Sequence, residues 1–128
     1  MPKKIAALLV TALAVLILGT PLFAHHGAAA YTDKLATMKA TITDFRFINP
    51  RGQIFFDIRN DKGEVEHWQG EVTSPNKLAR AGWTKYTLKS GEECEISGRT
   101  GKNGAHSVWI TKIVKSSGET LKLAETID

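Results

Sequence analysis

From Met38 onward apolar and polar residues alternate, and the alternation slips by one residue within its first segment. Met38, Ala40 and Ile42 fall in one phase, Phe45 and Phe47 in the other. Successive side chains of a strand point to opposite faces, so a strand that stays buried through such a slip carries an extra residue near Thr43-Asp44. A bulged long strand can bend and serve two sides of one barrel. Asn49-Pro50-Arg51-Gly52 is turn chemistry. Ile54, Phe56 and Ile58 then share one face of a strand over Gln53 to Arg59. Asn60-Asp61-Lys62-Gly63 is a hairpin signal, and Val65 to Thr73 returns as the partner strand.

The period then changes. Ser74 is an N-cap followed by Pro75 at the first helical position, Leu78-Ala79 supplies apolar contact, and Gly82 closes a short helix, with Trp83 covering the barrel end. Strands resume over Cys94 to Thr100 and around Val108, Ile110 and Val114, separated by a glycine-rich turn at Gly101 to Gly104. A short last strand holds Leu121 and Leu123. This pattern predicts a mainly β fold: a small OB-like Greek-key barrel of five to six strands with one short helix between the third and fourth. A six-stranded meander or a small sandwich stays open, because periodicity gives strands and not their pairing.

The chain begins with Lys3-Lys4, an apolar run from Ile5 to Leu18 broken by Thr11, and a small-residue exit to Ala24. This reads as a cleaved secretory signal peptide over 1–24, so the mature chain is expected in the periplasm. The run is shorter than the roughly 20 residues that span a bilayer, so no stable membrane anchor is expected after cleavage. Cleavage after Ala24 leaves His25-His26 as the new N-terminus, whereas Ala28-Ala29-Ala30 offers a second site that discards both. Residues 25–35 lack a period and are expected as a flexible arm, leaving 36–128 as one barrel domain. Losing Lys3 and Lys4 takes the formal charge from +4 to +2. The remaining cations are scattered among carboxylates, which argues against a nucleic-acid partner. Cys94 is the lone cysteine and is expected as a buried thiol sharing a face with Ile96.

His25-His26 after an alanine, Tyr31-Thr32-Asp33, Asn49-Pro50, Ser74-Pro75-Asn76 with Leu78, Gly82-Trp83-Thr84, Leu88, Gly91, and Ile96 before Gly98 stand in an order and spacing that resembles a family of secreted bacterial proteins, domain of unknown function 6152. The resemblance covers essentially the whole mature chain. It implies an exported, single-domain, mostly β protein without an established activity. It also implies a histidine directly after the Asn-Pro pair, where this chain has Arg51. A metal site using that histidine is therefore absent here or completed by another residue.

Three kinds of function follow from the residues. The first is a binding module for a small ligand or a periplasmic protein, with Arg51, Phe55, His67 and Gln69 on the face or rim of the second and third strands. Phe55 points away from Ile54 and Phe56, where an aromatic ring can stack on a ligand. The second is a Cu(II) site. A mature N-terminal His25 chelates through its amine and imidazole, and His26, His67 or His106 can add a nitrogen, a donor set that suits tetragonal Cu(II). The third is an enzyme. No nucleophile elbow, phosphate loop or zinc-helix motif occurs, so no catalytic residue is assigned and the expected protein is non-catalytic.

Overall fold

The computed structural model describes residues 29–123. The chain is mainly β, with five strands and one short helix: β1 (Tyr31–Arg46), β2 (Gln53–Arg59), β3 (Val65–Glu71), α1 (Pro75–Arg80), β4 (Glu93–Gly101) and β5 (Ser107–Lys115). The strands form one sheet, closed into a barrel in the order β1-β2-β3-β5-β4. All neighbours run antiparallel except β3 and β5, which are parallel over Gln69–Glu71 and Ser107–Trp109. Among the described residues, no helix is long and apolar enough to cross a membrane.

The slip in β1 is a bulge. Ile42 faces Phe56 and Asp44 faces Phe55, which leaves Thr43 as the extra residue. On either side of it β1 serves different neighbours: residues up to Thr41 pair with β4, and residues from Thr41 onward pair with β2. The bulge keeps Ile42 inside while turning Phe45 towards Trp83, whose ring lies edge-on at 5.6 Å. Ile42, Ile54, Phe56, Ile96, Val108 and Ile113 fill the interior, each contributing about 1.5–3 kcal/mol of burial.

Ser74 caps α1 by accepting the Lys77 N–H, and Pro75 opens the helix. Gly82, at φ +94°, turns the chain out of it. Leu78 is fully buried, and Trp83 donates its Nε1–H to the Lys122 carbonyl at 2.9 Å, so the helix and the C-terminal residues close the same part of the barrel.

Three expectations are corrected. Residues 31–35 belong to β1 rather than to an arm. Their period is hidden because β1 advances four residues, Tyr31 to Leu35, while β4 advances two, Gly101 to Arg99. Thr32 is held there by donating its hydroxyl to the Thr100 carbonyl at 3.1 Å. The last segment is a single bridge between Val114 and Thr120 instead of a sixth strand, although Leu121 is buried. In β5 the buried residue after Ile110 is Ile113 and not Val114. Ser97 faces Lys112 and Gly98 faces Ile110, so Thr111 forms a second bulge. Gly98 permits this because a Cβ there would overlap the Trp109 carbonyl.

Candidate functional site

The outward faces of β2, β3 and β5 make one continuous surface, read across the register. One row is Phe55, Gln69 and Ser107, and the next is Gln53, Glu71 and Trp109. Arg46 and Arg51 lie over the two rings, with the Arg46 guanidinium 4.6 Å from the Phe55 centroid and that of Arg51 4.9 Å from the Trp109 centroid. Each arginine is held by a carboxylate: Arg46 Nε lies 3.0 Å from Asp44 Oδ2, and Arg51 Nη1 3.5 Å from Glu71 Oε2. Tyr31 closes the Trp109 end, its ring 6.2 Å away and tilted 57°. Burial, followed by the adjoining Glu71 carboxylate, pushes the Tyr31 phenol up to about 12.

A second aromatic and polar cluster sits on the rim near the tip of the β2–β3 hairpin. Trp68 faces inward beside Phe56, with rings 6.4 Å apart. The His106 ring lies flat on Trp68 at 5.0 Å and 10°. Glu66 accepts the Trp68 Nε1–H at 3.2 Å and the Asn60 Nδ2–H at 3.4 Å, and its Oε2 lies 3.7 Å from His106 Nε2. Glu66 and Asn60 also line an open groove of about 1110 Å³, floored by Met38, Ala40, Ile58 and Cys94. Burial, then the nearby Glu92 charge, raises the Cys94 thiol to about 11, so it packs as an inert group.

The structure brings Arg51, Phe55 and Gln69 to the outer surface together. His67 lies on the same face, 85% exposed, with Nδ1 2.5 Å from Asp57 Oδ1. Phe55 is not bare, as its alternation alone predicts, but half-covered by Arg46. His106 is separated from this surface, since it shares the phase of Trp68. His25 and His26 lie outside the described residues. Among the described residues, no group of three or more histidine, cysteine or acidic side chains could hold a metal ion.

The model of a family of unknown function, DUF6152, matches residues 12–109. The chain belongs to the DUF6152 family. No curated protein is matched by the sequence. The matched span of this DUF6152 chain covers both clusters up to Trp109. Trp109 alternates with Val108 and Ile110, which are buried, so its outward direction was readable. Its partners were not, because Tyr31 and Arg51 come from distant parts of the chain.

Proposed function

We propose that this DUF6152 protein is an exported, non-catalytic binding module on an OB-type Greek-key barrel. The strand order, the parallel β3–β5 pair and the helix between β3 and β4 support the OB-type reading. The residues Met1 to Ala24 support export to the periplasm. The observation that carries the function is the pair of outward aromatic rings, Phe55 and Trp109, each under an arginine, with Gln53, Gln69 and Ser107 between them. A ligand with a flat face and polar edges can displace the guanidinium groups, stack on the rings and bond to the amides and to the displaced Arg51. The test is a fragment library of small polar aromatics and sugars, read by amide shifts of the labelled protein. Shifts clustering at Phe55, Gln69 and Trp109, and lost in Phe55→Ala and Arg51→Ala, support the face. Binding that maps elsewhere, or no binding, rejects it.

A second reading, a periplasmic Cu(II) protein, is favoured by where the chain joins the barrel. The Ala30 carbonyl accepts the Lys102 N–H at 3.0 Å. Residues leading from His25-His26 therefore join the barrel beside the turn that carries His106. This reading expects Cu(II) affinity to vanish when the N-terminus is extended or His25 is replaced by alanine. Unchanged affinity in both variants rejects it.

A further inference from the structure

We infer that the open groove at the barrel rim binds an extended peptide of alternating apolar and basic residues, which adds as a strand to the free edge of β1. β1 and β2 pair from Arg46 with Gln53 only as far as Thr41 with Asp57. Both strands run on past that point, β1 against β4 and β2 out to Arg59 against β3. Their facing edges therefore separate, and the groove of about 1110 Å³ opens between residues 37–41 and 57–61. Ile42 donates its N–H to the Glu92 carbonyl and accepts the Gly91 N–H, both on the β4 side. Backbone groups alternate in direction along a strand, so those of Thr37 and Lys39 turn to the groove, where no described strand meets them. Such an edge is a template for one more strand.

The groove's side chains define what the added strand must carry. Met38, Ala40, Ile58 and Cys94 floor it, and Val65, 49% exposed, extends the apolar surface towards the hairpin. One face of an added strand therefore needs apolar residues, to whose shape Met38 can adapt. The lips are acidic: Asp57, Asp61, Glu66, Glu93 and Glu95 line the groove against Lys39, Arg59 and Lys115. Those cations are engaged locally. Lys39 stands across from Glu95, Arg59 donates to the Gly63 carbonyl at 3.1 Å, and Lys115 lies 3.1 Å from Glu92. Asp61 and Glu93 have no ion-pair partner among the described residues. A net negative groove on a chain of formal charge +4 complements a cationic segment and opposes a second copy, whose groove carries the same charge. The lip from Thr37 to Thr41 spans about 13 Å, room for about four to five residues of the partner.

The test titrates a capped peptide, alternating lysine and valine over about six residues, into the labelled protein as a bacterial host exports it. Amide shifts and hydrogen exchange are the readouts, and circular dichroism checks the fold of each variant. Binding is expected to shift residues 37–41 and 57–61, to protect the Thr37 and Lys39 amides, and to weaken as salt rises. Methylating the peptide's valine nitrogens or its lysine nitrogens removes one edge of donors without changing its charge, and one of the two forms is expected to lose binding. Glu93→Lys combined with Glu95→Lys is expected to weaken binding about tenfold. Lys39→Pro, which removes a donor from the open edge alone, is expected to weaken it as well, and it decides the matter if the charge-reversed variant does not fold. No binding, equal binding of the glutamate–valine counterpart, or full affinity of both methylated forms overturns the inference. Shifts confined to Phe55, Gln69 and Trp109 overturn it while supporting the outer face. Protection of Thr37 and Lys39 that grows with protein concentration alone overturns it in favour of a second copy.

Discussion

The outer cluster around Trp109 and the rim cluster around Trp68 are assembled from the same parts: an indole, a nitrogen-bearing side chain over its ring, and a glutamate. They differ in the nitrogen. Arg51 is always charged and has no lone pair to offer, so with Glu71 and Tyr31 it zips the outer surface into a closed structural unit. His106 carries a lone pair when neutral and lies 48% exposed beside Glu66. One cluster stitches the sheet and can yield only by displacement. The other leaves a half-exposed imidazole at the rim. The comparison shows that the residue over an aromatic ring, rather than the ring, sets what each cluster can offer a partner.

The largest effect expected from breaking this contrast is on stability. Trp109→Ala removes the surface on which Tyr31 and Arg51 rest. A buried tryptophan-to-alanine change costs 3–5 kcal/mol, so about 2–3 kcal/mol is expected for this half-buried ring. Trp68→Ala should cost about as much, but hydrogen exchange separates the two. Loss of Trp109 should deprotect Tyr31 to Leu35, while loss of Trp68 should deprotect the β2–β3 hairpin. The same deprotection pattern in both variants overturns the division into two units.

Tyr31 sharpens the comparison through pH. Its folded pKa, about 12, lies above the ordinary value of 10.0. The folded state therefore favours the neutral phenol. This contribution is complete below pH 10 and is lost as pH rises through about 12. Because the group is buried, the loss should approach the linkage value, about 2 kcal/mol by pH 12. Denaturant unfolding between pH 9 and 12 should show a fall in the wild type that Tyr31→Phe lacks. Ultraviolet titration should lose its highest tyrosinate step in the same variant. Parallel pH profiles for the two proteins refute the outer unit as drawn.

How much of this was legible follows from where each signal is stored. The bulge at Thr43 was readable because both phases of β1 carry large apolar residues on either side of it. The second bulge, at Thr111, was not, because Val114 continues the phase of Val108 and Ile110 while the buried residue is Ile113. The helix and its cap were local chemistry and appeared where expected, at Ser74 and Pro75. Arg51, Phe55 and Gln69 could be placed on one face by alternation. Glu66, in phase with inward Trp68, gave no sign of its contacts until the turn bearing His106 was folded over it. Tyr31 was assigned to an arm because its strand pairs irregularly and is held by cross-strand hydroxyls, which leave no hydrophobic period.

The smallest effects expected test the contrast most directly. Arg51→Ala removes a half-exposed ion pair and one ring contact, together worth about 1 kcal/mol or less. His106→Ala should cost about 0.5–1 kcal/mol, since it removes one partly exposed stack. In metal-free buffer the two variants should therefore melt close together. Adding Cu(II) to the mature chain at a hundredfold excess over its dissociation constant stabilises a binding-competent fold by about 2.7 kcal/mol. Under the copper reading, Arg51→Ala should keep that gain and His106→Ala should lose most of it. Equal gains in both variants mean the rim histidine is as structural as the outer arginine, and equal losses mean the metal is held elsewhere on the chain.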